Sequence, residues 1–276
     1  MKKLNISIIF YDSPIARSYI NYLLINNYIV DELIILTDKK YKFFPKNIAF
    51  KINSFFQIFH ALNLLKSDLF AKNNNKITNY FNFENDFFFK MYSNLNFKKL
   101  TEKIYFISNN DINSNELYNL IENKNKTYLY TGGGILKKKI LDSKNKFLHI
   151  HPGYLPEVRG ADGALWSILK FNFFGVSSFY MNERIDEGAI IFREKLKLSN
   201  FLLRLPEKKV DNKVYYRFIY SFIDPLLRTY HLRNIVKNDY LENFSDHINN
   251  NLKSGVYYSF MNKENLENFL KKLFNE

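Results

Sequence analysis

The chain contains no cysteine. Disulfides, thiolate metal sites and a cysteine nucleophile are thereby excluded. It has one tryptophan and nine glycines, and eight of those glycines lie between Gly132 and Gly188. Glycine marks backbone that needs positive φ or the close approach of another group. The Gly132–Gly134 and Gly153 positions fall at the predicted carboxyl ends of strands, where open α/β sheets bind ligands. No apolar run approaches the ~20 residues that span a bilayer. The opening MKKLNISIIFYDSP has a basic tip and a short apolar run, but no small-residue cleavage site follows and Asp12-Ser13-Pro14 breaks the pattern. It reads as a first strand, and a cytoplasmic protein is expected. Acidic residues are few, 27 against 40 Lys+Arg, leaving a formal charge of +13. Such an excess can signal nucleic acid or an anionic ligand. Here the lysines are scattered among asparagine, isoleucine and phenylalanine, as in KNNNKITNYFNFEN (72–85), which reads as composition more than as a binding footprint. The length and a 46% hydrophobic content suffice for one large domain, or one domain with an appendage.

The chain opens as strand, capped helix, strand. LNISIIFY (4–11) is an apolar strand, Ser13 and Pro14 suit the start of a helix over IARSYINYLLIN, and YIVDELIIL (28–36) is a second strand. This is the beginning of a parallel α/β sheet. Residues 38–98 are aromatic and asparagine-rich, helical around 52–70 and without clear register afterwards. The alternation resumes with strands at 103–108, 127–132 and 146–151, separated by helices at 113–123 and 135–141. A helix over 162–171 precedes 175–181 and 189–196, which read as a hairpin. After residue 200 the pattern is mainly helical, with a late strand at 255–261. The expected division is therefore 1–200 and 201–276.

Three side chains stand out. KFLHIH (146–151) has period two, so His149 and His151 project from one face at its carboxyl end. Asp186 lies in NERIDEG (182–188), after the neighbouring strand. The residues alone leave three readings open: hydrogen-bonded core histidines with a turn aspartate, a two-imidazole and carboxylate metal site, or acid–base and oxyanion chemistry. His60, His231 and His247 show no partner pattern, and Trp166 reads as packing for its helix.

The strings GGGILKKKILDSKNKFLHIHPGYLPEVRG and GVSSFYMNERIDEGAII resemble the formyltransferase family that uses 10-formyltetrahydrofolate, which includes glycinamide-ribonucleotide, methionyl-tRNA and sugar-nucleotide formyltransferases. The shared pattern is a glycine turn followed by Ile-Leu, then Asn-x-His-Pro-x-x-Leu-Pro-x-x-Arg-Gly, then Asp-x-Gly-x-Ile. It covers residues 100–197 well, and the opening strand with Ser13-Pro14 extends it over about 1–200. The resemblance implies an α/β, Rossmann-like, mostly parallel sheet with a small, mainly helical C-terminal appendage.

It also implies roles. The family's catalytic His and Asp fall on His151 and Asp186, while His149 stands where the family has asparagine. That asparagine donates a hydrogen bond to the formyl oxygen, the histidine stabilises the oxyanion, and the aspartate orients the histidine and manages protons. An imidazole at 149 can also donate N–H. Gly133, Gly134 and Leu136 match the turn lining the folate pocket, and Arg184 the loop covering the pterin. Arg159 and Gly160 match the Arg-Gly near which acceptors bind. The implied activity is transfer of a formyl group from 10-formyltetrahydrofolate, as co-substrate, to an amine without a metal. The leading acceptor is a nucleotide-linked amino sugar, ahead of tRNA, because 201–276 is shorter and more helical than the barrel of the tRNA enzymes. No membrane partner is expected, and a homodimer is admissible. The rival readings are a metal-dependent hydrolase using His149, His151 and Asp186, and a non-catalytic folate- or nucleotide-binding homologue.

Overall fold

The computed structural model describes residues 2–241 and 255–275. Strand β1 (Ser7–Tyr11) is buried on both faces, and the alternation of its side chains divides it between two cores: Ile8 and Phe10 enter one, Ile9 the other. Ser13 then accepts the Ala16 amide on its hydroxyl, and Pro14 opens helix α1 (Pro14–Ile25), the expected capping arrangement. The apolar run 28–36 is not one strand. It divides into Tyr28–Ile29 and β2 (Leu33–Leu36), because Asp31 pairs with Lys3 and Glu32 is buried against Lys124, Lys126 and the Tyr128 hydroxyl. Two carboxylates with fixed partners bend the chain where hydrophobicity alone would continue it.

Residues 38–98 fold as helices α2 (Lys46–Leu65), α3 (Asp68–Tyr80) and α4 (Phe87–Met91). Strand β3 (Ile104–Ile107), helix α5 (Asn115–Ile121, capped by Ser114), strand β4 (Thr127–Tyr130), helix α6 (Lys138–Leu141) and strand β5 (Lys146–His151) follow in the predicted alternation. Next come β6 (Val158–Gly160), α7 (Gly163–Phe171) and the hairpin of β7 (Phe173–Tyr180) and β8 (Ala189–Lys197). The central seven-stranded sheet has the order β8-β7-β5-β4-β1-β2-β3. Strands β5, β4, β1, β2 and β3 run parallel, β7 runs against β5, and β8 against β7. The fold is α/β with a mostly parallel sheet.

Beyond residue 200 the chain forms α8 (Asn212–Phe218), a wider π-type turn at Ile219–Ile223, α9 (Asp224–Lys237) and α10 (Lys263–Leu273). These helices share the hydrophobic cluster that contains Ile8, Phe10 and Tyr19, through Phe218, Phe222, Leu226 and Phe269. Phe222 is fully buried, its ring 4.6 Å from that of Phe70 and 4.9 Å from that of Phe88, so it joins α3 and α4 to the C-terminal helices. The late strand expected at 255–261 is β9 (Val256–Tyr258), which pairs in parallel with β6. Among the described residues no helix is long and apolar enough to cross a membrane.

Replacing Phe222 by alanine removes the ring that links these helices. A loss of about 3–5 kcal/mol in unfolding free energy is expected by urea denaturation, and a loss under 1 kcal/mol would show that the aromatic cluster does not hold the C-terminal helices down.

Candidate active site

Strand β5 is fixed from both sides, by β4 through Leu148 and by β7 from Leu148 to His151. Leu148 and Ile150 enter the larger core, and Phe147 enters the core on the other side of the sheet. With period two, His149 and His151 share the Phe147 face, and both border a cavity of about 360 Å³. The cavity is also lined by Gly133, Gly134, Gly160, Arg184 and Asp186 from the expected set, and by Phe179, Met181 and Ile185.

Asp186 reaches this place by a detour. Because β7 runs against β5, it ends beside Leu148, and the loop after it must fold back to the His151 end. The Asn182 side chain braces that fold, accepting the Arg184 amide at 2.9 Å and donating to the Glu187 carbonyl at 3.1 Å. Asp186 itself adopts left-handed backbone (φ 53°), a conformation aspartate tolerates better than most residues. Its Oδ2 accepts the Gly160 amide at 2.8 Å and lies 3.5 Å from His151 Nδ1. Gly160 has φ +88°, and a methyl group there would stand 2.2 Å from the Tyr258 carbonyl oxygen, so no other residue serves.

The hydrogen bonds define which ring nitrogens carry protons. Nε2 of His151 lies 3.0 Å from the Val158 carbonyl, which can only accept, so Nε2 is protonated. Nδ1 then faces the Asp186 carboxyl group and is the nitrogen that can take up a proton beside it. Nδ1 of His149 lies 3.3 Å from the Tyr130 carbonyl and is the protonated nitrogen by the same logic. Burial pushes the His149 ring down from its ordinary 6.5 to about 3. The positive charge of Arg228 acts in the same direction and Asp186 opposes it. Burial also pushes His151 down, against the pull of Asp186.

Two of the expected residues stand outside the cavity lining. Leu136 is fully buried in the smaller core, supporting the glycine turn from behind. Arg159 bonds Glu187 at 2.7 Å and so ties β6 to the loop that carries Asp186. Three cavity residues carried no sequence signal: Tyr220, Arg228 and Phe260 all come from beyond residue 200. Asp162 also lines the cavity. It accepts the hydroxyls of Tyr216 and Tyr220 and the Met261 amide, which draws the C-terminal segment over the site. His231 is buried away from the site against Glu194, at 2.6 Å. His60 borders a separate cavity, and His247 lies outside the described residues. Among the described residues, no group of three or more His, Asp or Glu side chains is placed to hold a metal ion.

No family model matches the chain. It is 33% identical over 101 residues to the methionyl-tRNA formyltransferase of Finegoldia magna, which covers 35% of this chain and 33% of that protein. It is 40% identical over 80 residues to the methionyl-tRNA formyltransferase of Prochlorococcus marinus, covering 28% of this chain and 24% of that protein. The chain thus matches only a third or less of the length of these curated relatives. Among solved structures, a sugar N-formyltransferase from a Shewanella species aligns with a TM-score of 0.47 and 15% identity, over 98% of this chain and 88% of that one. A 4-N formyltransferase from Francisella tularensis aligns with a TM-score of 0.45 and 15% identity, over 99% and 87%. The chain resembles the formyltransferase family, in its motifs and in its curated relatives.

Acid should act on the half-buried imidazole of His149. The unfolded chain protonates His149 near 6.5 while the folded chain resists until about 3, so stability present above pH 6.5 is lost as the pH falls toward 3. Between pH 7 and 5 this group alone should remove on the order of 1–2 kcal/mol in urea unfolding, and His149→Asn should reduce the loss. Equal pH sensitivity in both proteins would mean that the fold does not hold His149 as a neutral ring.

Proposed function

We propose that this protein is an N-formyltransferase that moves a formyl group from 10-formyltetrahydrofolate to an amine, with an amino sugar of a sugar nucleotide as the acceptor. The observation that carries this reading is the His151–Asp186 pair in the cavity lining, inside the His-Pro-x-x-Leu-Pro-x-x-Arg-Gly and Asp-x-Gly-x-Ile strings that resemble the family. The cavity suits a flat heterocycle. Gly133 and Gly134 present bare backbone on one side, with open space where side chains would stand, and Phe179, Met181 and Ile185 add apolar surface. Folate, when bound, would supply the electrophilic formyl carbon.

The chain's own groups then have definable work. The His151–Asp186 edge can take up on Nδ1 the proton that the amine loses, stabilise the charge that develops as it does so, and return the proton to a leaving nitrogen. Gly133, Gly134 and Arg184 are assigned to the folate, and Gly160 to the acceptor side, with Arg159 acting through Glu187 to hold the Asp186 loop. The rest of the catalytic effect comes from aligning amine and carbonyl carbon in a partly enclosed space. The net charge of +13 suits a diphosphate-bearing acceptor. A cytoplasmic setting, where folate one-carbon donors are made and used, belongs to the same reading.

The test is a transfer assay with 10-formyltetrahydrofolate and a panel of nucleotide-linked amino sugars, with methionyl-tRNA in parallel. Formylation of an amino sugar is expected, and His151→Ala and Asp186→Asn should each lower kcat by about a hundredfold or more. Formylation of methionyl-tRNA alone would overturn the acceptor assignment. Unchanged rates in both variants would overturn the roles, and stoichiometric zinc or iron in the purified active protein would favour a hydrolase.

A further inference from the structure

Position 149 is where this chain leaves the family pattern, and the geometry points to a different use of that position. The carbonyl oxygen of Tyr130 takes the Nδ1–H of His149, which borders the cavity, so in the uncharged ring the other nitrogen, Nε2, carries a lone pair. Among the described residues Nε2 of His149 makes no hydrogen bond, and it is not sealed off as Nε2 of His231 is. An asparagine amide can offer N–H at this place. A neutral histidine held in this way cannot.

Behind the two histidines lies Arg228, a guanidinium from α9 that borders the cavity while being only 8% exposed. Its Nε bonds both oxygens of the buried Asp224, at 3.0 and 3.2 Å. Its Nη1 donates to the carbonyl of Ile150, the residue between the histidines, at 2.6 Å. The ladder between β4 and β5 has ended by then, at Leu129 and Leu148, so the arginine continues the support of the strand where the sheet stops.

We propose that His149 is a hydrogen-bond acceptor for the attacking amine, and that Arg228 is the positioning residue that holds the Ile150 peptide and supplies a buried positive charge at the cavity. This inference rests on the formyl-transfer reading for the identity of the amine, though not for the state of the ring. A buried cation beside the histidines disfavours a protonated ammonium and favours the uncharged amine, which is the nucleophilic form. His149 Nε2 then accepts one amine N–H and directs the nitrogen lone pair at the formyl carbon. The new nitrogen–carbon bond replaces the carbon–nitrogen bond of the donor. The proton lost by the amine balances the one gained by the leaving nitrogen, and the His151–Asp186 edge serves as the relay. The charged and titratable groups around His149 are His151 on its own strand, Tyr130 on β4, Asp186 and Arg184 from the folded-back loop and Arg228 from α9. Asp224, Tyr19 and Tyr220 surround the arginine in turn.

Nitrogen-15 NMR of the histidine rings, in the protein without ligands, reads the ring state directly. At pH 7 His149 is expected as the Nδ1–H tautomer, still uncharged at pH 5. An Nε2–H tautomer, or titration near 6.5, would overturn the inference even in a fully active transferase. The second arm compares Arg228→Met/Asp224→Asn, which removes both buried charges, with Arg228→Lys, which keeps the cation. Burial is the larger cause of the His149 shift and the cation the smaller, so in the double variant the ring should titrate higher and transfer at pH 6 relative to pH 8 should fall measurably, by up to about fourfold, beyond the wild type. Arg228→Lys should keep the wild-type ratio. A double variant with a wild-type circular dichroism spectrum and an unchanged ratio would remove Arg228 from its role. Should the double variant not fold, the Arg228→Lys titration decides, because a wild-type ring state is required there. Absence of transfer to every amine by the wild type would sink the functional reading and leave the ring measurements to judge the geometry.

Discussion

Strand 146–151 is gripped on both sides, and the rest of the site depends on that grip. With partners in register at Leu148 on each edge, the strand cannot slip by one residue without turning Leu148 and Ile150 out of the core and both histidines into it. The hydrophobic cost of that exchange is several kcal/mol, so two imidazoles are presented at the cavity as a by-product of burying two aliphatic side chains. The same strand ends at Pro152 and Gly153. A methyl group at Gly153 would lie 2.5 Å from His151 Nε2 and 2.7 Å from the Val158 carbonyl, in the path of the hydrogen bond that orients the ring.

Around this strand the chain arranges charge in closed sets. Asp186 is held by the Gly160 amide and faces His151, Glu187 is held by Arg159, and Asp162 gathers two tyrosine hydroxyls and the Met261 amide. Each set joins a segment distant in sequence to the loop 152–162. Buried polar groups demand partners, and here the partners come from 182–188, from 216–220 and from 256–261. The C-terminal residues thereby form one wall of the cavity. An expectation that treated them as an appendage to a catalytic unit could not foresee that Tyr220, Arg228 and Phe260 would line it.

Much was legible in the sequence. The apolar runs and their caps located the strands and helices of the sheet, because a strand buried on both faces must be continuously apolar and a helix start must satisfy its free amides. Period two placed His149 and His151 together, and the resemblance to formyltransferases singled out Asp186 and the glycine turn. The register of 38–98 was not legible, since its phenylalanines and asparagines suit several periodicities and only packing against Phe222 and its neighbours selects one. The break at 30–32 was likewise hidden, for it depends on cations at Lys3, Lys124 and Lys126.

What the sequence by itself determined is the α/β class, the order of elements and the pair of histidines, since these follow from local periodicity, capping and turn chemistry. The tertiary structure alone decided which nitrogen of each ring carries its proton, how a loop on the wrong end of an antiparallel strand returns Asp186 to His151, and that a cation from α9 stands behind both. Those are contacts between residues up to some eighty positions apart, and no local pattern records them, because the energy of a buried charge depends on what the fold brings beside it.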